Sequence, residues 1–168
     1  GYDHPLGYGS FMVGRTNEGY IAWDTIRAID YLCTRPEVDP RKIGLTGNSG
    51  GGENTFYTTP LDDRIQAAVS NCFTCSYEAW LRDGGNHCVC NHMPGLAAAM
   101  EQFEIIGLNA PRPYMACNGV ADPIFPIKGT RDTVAKAGTI YGFYGAADAV
   151  RGVEGPGGHG WSPTLRET

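Results

Sequence analysis

The fold is decided by the stretch Ile43-Gly44-Leu45-Thr46-Gly47-Asn48-Ser49-Gly50-Gly51. A short apolar run ends in the pattern Gly-x-Ser-x-Gly, and small residues that can open a helix follow. A serine on a strained strand-to-helix turn needs neighbours without side chains, because the chain doubles back there and the hydroxyl must stand clear. The pattern therefore predicts a nucleophile elbow that presents Ser49. The alternative is a glycine-rich turn that contains a serine by chance, since five-residue patterns recur.

The composition is typical of one globular domain spanning residues 1–168. Apolar residues make up 42% of the chain and charged residues 18%, which excludes a disordered protein. A net charge of −5, without a run of lysine or arginine, argues against nucleic acid or an anionic membrane as a partner. The first residues lack the charged and apolar regions of a signal peptide. We therefore expect no signal peptide in this chain, and the compartment stays open between cytoplasm and secretion.

Strands alternate with helices from residue 17 onward. We predict strands over 43–46, 65–70, 113–118 and 149–154, and helices over 17–35, 50–58, 96–107 and 128–144. Residues 1–16 are rich in glycine, tyrosine and proline and are predicted to be irregular. Residues 71–95 are predicted to form a loop or cap over the site, with a short helix at 77–82. This alternation predicts an α/β fold with a mostly parallel sheet of about four strands flanked by helices.

Two residues complete a catalytic constellation around Ser49. A serine nucleophile needs a base within hydrogen-bond reach, and the base needs an acid that orients it. Asp122 follows the predicted third strand and His159 follows the fourth, at the sheet edge where open α/β sheets bind their ligands. Taken singly, an aspartate before proline is an ordinary turn former, and a lone histidine in a glycine-rich loop is ordinarily structural. The order serine, acid, histidine at these three places favours a triad.

Five segments carry a resemblance to a known family: Arg35 to Gly44, the elbow, Asn109 to Pro113, Asn118-Gly119 and Asp122 to Pro126. Together they resemble the α/β-hydrolase superfamily, and within it the dienelactone hydrolase and acetyl xylan esterase-like branches most of all. The match runs from about residue 15 to residue 162. The resemblance implies that Ser49 is the nucleophile, Asp122 the triad acid and His159 the base. It also implies that the backbone N–H of Gly50 is the first oxyanion donor.

The chain departs from that family before the elbow. Only 46 residues precede Gly47, and they contain no His-Gly-Gly sequence, so the second oxyanion donor is unassigned. The segment Gly7-Tyr8-Gly9-Ser10 and a partner subunit are the candidates. Such a shortened α/β-hydrolase sheet would leave an apolar edge strand unpaired, and proteins usually cover such edges. We therefore expect a homodimer or a higher homo-oligomer.

The six cysteines lie at positions 33, 72, 75, 88, 90 and 117. Cys72 and Cys75, followed by the segment 87–92 with its cysteines and histidines, have the ingredients of a zinc site, although the second half has irregular spacing. A disulfide between the 72–75 region and the 88–90 region is a second alternative. The default is that all are reduced, small and buried, with Cys33 on a helix and Cys117 in a strand.

The leading functional hypothesis is a serine carboxylic-ester hydrolase that acts through an acyl-enzyme, without a cofactor or metal. We expect short-chain or acetyl esters as substrates. An open cleft would also admit polymeric esters such as polyesters. Asn48, Phe125 and Trp161 are the candidate substrate contacts, and the aromatic residues 73, 77 and 80 belong either to that surface or to the core. The alternatives are a catalytically inactive hydrolase relative that serves as a binding or assembly module, and a zinc-binding module.

Overall fold

A four-stranded parallel sheet forms the centre of the computed structural model, which describes residues 3–84 and 89–167. The strands are β1 (Ile43–Asn48), β2 (Ile65–Asn71), β3 (Tyr114–Gly119) and β4 (Val150–Gly155), and they lie side by side in chain order. Every neighbouring pair is parallel. The predicted α/β fold is therefore confirmed. The first strand is two residues longer than predicted, because Gly47 and Asn48 pair with Ser70 and Asn71.

Helices precede the first strand, connect the strands and follow the last one. They are α1 (Asp3–Met12), α2 (Asn17–Cys33), α3 (Gly50–Thr58), α4 (Tyr77–Asp83), α5 (Leu96–Ala99), α6 (Gln102–Gly107), α7 (Ile127–Phe143) and α8 (Pro163–Arg166). Three-residue 3₁₀ turns lie at Thr59–Leu61, Val89–Asn91 and Ala147–Ala149. No helix among the described residues is long and apolar enough to cross a bilayer.

The prediction of irregular structure over residues 1–16 is wrong, because α1 occupies most of that segment. Its glycines and proline weaken a helix on their own, but α1 packs against the 3₁₀ turn that begins at Val89. Gly7 lies so close to the Val89 side chain there that it has no room for a Cβ atom. Tertiary packing thus outweighs local propensity. The following helix is capped by Thr16, whose hydroxyl accepts the N–H of Gly19 at 3.0 Å.

The predicted helix over 96–107 is two helices. Met100 is extended, with φ −146° and ψ 147°, and ends α5. Glu101 then starts α6 with a reciprocal capping box that involves Glu104. Because a capping box satisfies the first free N–H groups of a helix, it fixes a new start at that position. The short helix predicted at 77–82 is confirmed as α4. The role of 71–95 as a cap stays a prediction, and residues 85–88 lie outside the described part of the chain.

The main core lies between one face of the sheet and α3, α6 and α7. Its largest fully buried side chains include Phe56, Phe73, Ile106, Tyr114 and Tyr141. The rings of Phe56 and Phe73 lie 5.2 Å apart, centroid to centroid. This packing holds the sheet against α3, the helix that follows the elbow.

Arginine side chains fasten the amino ends of the strands, at the edge opposite the elbow. The Arg112 guanidinium donates to the carbonyl oxygens of Thr59, Asp62 and Ile65 at 3.1, 3.0 and 2.8 Å. Arg64 donates to the Asp62 carboxylate at 2.9 Å and to Asp30 at 2.7 Å. The Arg112 bonds satisfy carbonyl groups where the chain enters β2, and the Arg64 bonds join carboxylates at the same end.

The strand β1 lies at one edge of the four-stranded order. Thr46 on this strand is exposed. The homo-oligomer expected to cover such an edge stays a prediction.

Candidate active site

The predicted nucleophile elbow is present between β1 and α3. Ser49 has φ 56° and ψ −116°, a strained conformation that few residues with a side chain adopt. Its N–H donates to the Asn71 carbonyl at the end of β2, at 2.9 Å. A Cβ atom on Gly47 would lie 2.7 Å from the Cα of Gly51. The turn therefore closes only because glycine occupies position 47.

The structure brings the three predicted triad residues together. The Nε2 atom of His159 lies 2.7 Å from the Oγ of Ser49. The Nδ1 atom of the same ring lies 2.9 Å from the Oδ2 of Asp122. Both distances are within hydrogen-bond range. The histidine can therefore accept a proton from the serine while the aspartate holds its other nitrogen.

Asp122 is fixed from its far side by the loop that follows β3. Its Oδ1 atom accepts the N–H groups of Ile124 and Phe125 at 2.8 and 3.1 Å. The carboxylate is fully shielded from solvent, whereas 21% of the His159 side chain is exposed. Asp122 is thus held rigidly in the interior, and His159 lies closer to the surface.

The loop that carries His159 is joined to the loop that carries Asp122. Ala121 donates to the Gly157 carbonyl at 2.8 Å, and Gly119 approaches Gly158 so closely that a Cβ atom would overlap its carbonyl group. The Phe125 ring also packs against His159, with centroids 5.8 Å apart and planes tilted by 32°. These contacts orient the imidazole in a glycine-rich segment that would otherwise be mobile.

Gly50, the predicted first oxyanion donor, lies where the elbow meets the following helix. Gly50 is the first residue of α3, and the first N–H groups of a helix have no intrahelical acceptor. The positive end of the helix dipole also faces this position. The segment Gly7 to Ser10 lies within α1, where helical bonding engages its N–H groups, so it is a poor source of the second donor.

The candidate substrate contacts lie in different surroundings. Asn48 is half-buried and accepts a short hydrogen bond from the Asn71 amide. Phe125 is buried, and Trp161 is 38% exposed. Their contact with substrate stays a prediction. The other aromatic candidates belong to the core: Phe73, Tyr77 and Trp80.

Sequence reasoning considered Cys72 for a zinc site or a disulfide but did not predict that it lies beside the triad residues. The residue directly follows β2, and its Sγ lies within 4.8 Å of ligand atoms of Asp122 and His159. Burial raises the pKa of the Cys72 thiol, and Asp122 and His159 are hydrogen-bonded to each other. We therefore assign no metal to this group. Its place at the carboxyl end of a strand was the available signal, because that edge carries the site residues of parallel sheets.

The cysteine alternatives are corrected by the structure. Cys72 and Cys75 are free thiols, so the disulfide between the 72–75 and 88–90 regions is not present. Cys90 is disulfide-bonded and is therefore neither a reduced thiol nor a zinc ligand. His87 and Cys88, which belong to the same zinc pattern, lie outside the described residues. Burial raises the pKa of Cys75 to about 12 and that of Cys117 to about 11, as expected for inert buried thiols. Cys33 is only half-buried.

The chain is similar in sequence and in structure to known hydrolases and esterases. No protein-family model matches the sequence. It is 31% identical over 157 residues, 92% of the chain, to YtaP of Bacillus subtilis (strain 168), which is named as a hydrolase. The solved structure of the methylesterase BT1017 superposes on 89% of the chain with a TM-score of 0.71 and 30% identity. The chain has the α/β-hydrolase fold.

The sequence is also similar to the acetyl esterase Axe7A of Xylanibacter ruminicola (strain ATCC 19189) over a short segment. It is 40% identical over 52 residues, which are 31% of the chain. The chain spans 52% of the length of YtaP, 33% of BT1017 and 11% of Axe7A. The fold thus follows from these comparisons, whereas activity and substrate require an argument from the site.

Proposed function

We propose that this α/β-hydrolase cleaves carboxylic esters through an acyl-enzyme on Ser49. The observation that carries the proposal is the continuous chain of hydrogen bonds from Ser49 through His159 to Asp122, with distances of 2.7 and 2.9 Å. Relatives named as a methylesterase and an acetyl esterase support the same reaction class.

In the first half-reaction, the Oγ of Ser49 attacks the ester carbonyl while the Nε2 of His159 takes its proton. Asp122 holds the Nδ1–H of the ring and stabilises the imidazolium that forms. The N–H of Gly50 donates to the oxyanion of the tetrahedral intermediate. The intermediate then collapses, and the imidazolium gives its proton to the departing alcohol, which leaves an ester of Ser49.

In the second half-reaction, water replaces the alcohol. His159 takes a proton from the water as it attacks the acyl group, and the intermediate again places its negative charge at Gly50. The collapse releases the carboxylic acid and returns the proton to the Oγ of Ser49. The exposed edge of the His159 side chain provides a route by which water reaches the ring.

The substrates we propose are short-chain or acetyl esters, including esters carried on polymers such as polysaccharides or polyesters. Two observations support this range. Ser49 is only half-buried, and Trp161, two positions after His159 in the chain, is accessible at the surface. A bulky alcohol portion therefore has room outside the protein. The name of the acetyl esterase among the relatives agrees with a small acyl group.

The test is hydrolysis of p-nitrophenyl esters from acetate to decanoate by the native chain and by Ser49→Ala. We expect the substitution to lower kcat by about 10⁴–10⁶-fold, because it removes the nucleophile. A fluorophosphonate should form one adduct, located on Ser49 by mass spectrometry. Ser162→Ala is the matched control: Ser162 is also half-buried, but its hydroxyl accepts the N–H of Leu165 at 3.3 Å. Equal rates in the native chain and Ser49→Ala, with no adduct, would overturn the proposal.

A further inference from the structure

Cys72 has an unusual backbone conformation for a residue with a side chain. Among the described residues, only Ser49 and Cys72 combine a side chain with a positive φ, at 56° and 51°. Glycine adopts such angles without steric cost, whereas a Cβ atom is crowded there. The strain at Ser49 is explained by the turn of the elbow. The strain at Cys72 has no such explanation, which directs attention to the contacts of its side chain.

The backbone around Cys72 ties the ends of three strands together. The carbonyl of Asn71 accepts the N–H of Ser49 at 2.9 Å, and the N–H of Cys72 donates to the carbonyl of Cys117 at 2.7 Å. These bonds link the ends of β1, β2 and β3. Cys72 therefore has a fixed position relative to the nucleophile.

The side chain of Cys72 reaches the loop that carries the proposed base. The N–H of Gly160 donates to the Sγ of Cys72 at 3.3 Å, and the thiol lies 3.4 Å from the carbonyl oxygen of the same glycine, to which it donates. Gly160 directly follows His159. One buried thiol thus engages both backbone groups of the residue next to the base.

The loop around His159 is rich in glycine, so the contact of Cys72 with Gly160 matters for its order. Residues 155–160 contain four glycines in the sequence Gly155-Pro156-Gly157-Gly158-His159-Gly160, and glycine loses the most conformational freedom when it is ordered. The bond from Ala121 to Gly157 holds the loop before His159. The thiol of Cys72 holds it after His159.

We propose that Cys72 is a positioning residue that holds Gly160 and thereby keeps the His159 imidazole aligned between Ser49 and Asp122. The inference rests on the proposed function of the triad, although the alignment itself can be measured without turnover. A neutral thiol suits this place, because a second negative charge beside Asp122 would compete for the histidine.

The test compares Cys72→Ala and Cys72→Ser with the matched control Cys75→Ala. Cys75 is also a fully buried free cysteine, and its thiol donates to the carbonyl of Pro126 at 3.5 Å. Both alanine variants lose a buried sulfur. If Cys72 positions the base, Cys72→Ala should lower kcat for p-nitrophenyl acetate by about 10–100-fold with KM unchanged, a loss typical of a displaced catalytic group. Cys75→Ala should stay within about 2-fold of the native kcat, and Cys72→Ser, which keeps a donor and an acceptor, should recover much of the loss.

A second measurement separates this inference from the proposed function. The Nδ1–H proton of His159, assigned by its loss in His159→Gln, is observed by proton NMR in each variant. We expect its resonance to broaden or disappear in Cys72→Ala and to persist in Cys75→Ala, whether or not any ester is hydrolysed. An unchanged resonance in a folded Cys72→Ala protein would overturn the positioning role, as would equal kcat values in the two alanine variants. A native chain that keeps the resonance but hydrolyses no ester would count against the esterase proposal alone.

Discussion

Replacing Asp122 by asparagine exchanges one oxygen for an amide nitrogen at the end of the triad. The Oδ1 atom can keep its two donors, the N–H groups of Ile124 and Phe125 at 2.8 and 3.1 Å. The amide nitrogen then occupies the place of Oδ2, 2.9 Å from the Nδ1 of His159. Because an amide nitrogen is a donor, Nδ1 must give up its proton, and the neutral ring carries its proton on Nε2. That proton points at the Oγ of Ser49, 2.7 Å away, so the ring can no longer accept the serine proton.

The expected loss follows from these two changes. The wrong tautomer and the missing carboxylate, which would stabilise the imidazolium, together lower kcat by about 10⁴-fold, or about 5.4 kcal/mol. The effect on folding is smaller, because volume and both backbone bonds are retained. Exchanging two charge-assisted hydrogen bonds for neutral ones lowers the free energy of unfolding by about 1–2 kcal/mol.

The assay measures kcat for p-nitrophenyl acetate at pH 7 and urea unfolding on the same samples. Asp62→Asn is the control, since Asp62 is also buried and its carboxylate also accepts strong hydrogen bonds, here from Arg64. Loss of the Asp62 carboxylate should lower the free energy of unfolding without lowering kcat. A folded Asp122→Asn protein within tenfold of the native kcat, measured where Ser49→Ala is inactive, would refute the assignment of Asp122 as the triad acid.

Two further experiments test the elbow and the dependence of stability on acid pH. In Gly47→Ala, the new Cβ atom would lie 2.7 Å from the Cα of Gly51. We therefore expect fluorophosphonate labelling of Ser49 to slow at least about 100-fold and the free energy of unfolding to fall by about 1–3 kcal/mol. An unchanged labelling rate would contradict the steric argument. Hydrogen bonds and charge from Arg64 lower the pKa of Asp62 below its ordinary 3.8, so the ion pair adds stability above that pH and loses it as the pH falls through the lowered pKa. The urea midpoints of the native chain and Asp62→Asn should therefore differ at pH 6 and converge toward pH 2, and a difference that persists at pH 2 would count against this linkage.

The positions of the site residues were predictable because each follows the carboxyl end of a strand and lies in a short recognisable segment. The glycines around Ser49 mark the turn by themselves. The alternation of strands and helices then places Asp122 and His159 at the same sheet edge. Parallel strands bring their carboxyl ends to one edge of the sheet, so residues far apart in the sequence meet there.

The features that were missed depend on contacts between distant segments. α1 forms in a stretch of poor helix formers because it packs on the turn at Val89. Likewise, nothing near Cys72 in the sequence indicates that its thiol meets Gly160, which lies 88 positions later. The break at Met100 was in principle visible, because Glu101 and Glu104 form a capping box, but apolar periodicity masked it.

The arginine cluster formed by Arg64 and Arg112 lies at the amino end of β2, whereas the elbow and the triad gather at the carboxyl end. Seven residues of extended chain separate the two ends by about 20 Å. Effects of substitutions more than about 7–10 Å apart, without shared partners, add almost independently. The amino end is thus a place where laboratory evolution could accumulate stabilising changes in advance, as a reserve against the destabilisation that new substrate specificities at the opposite edge commonly bring.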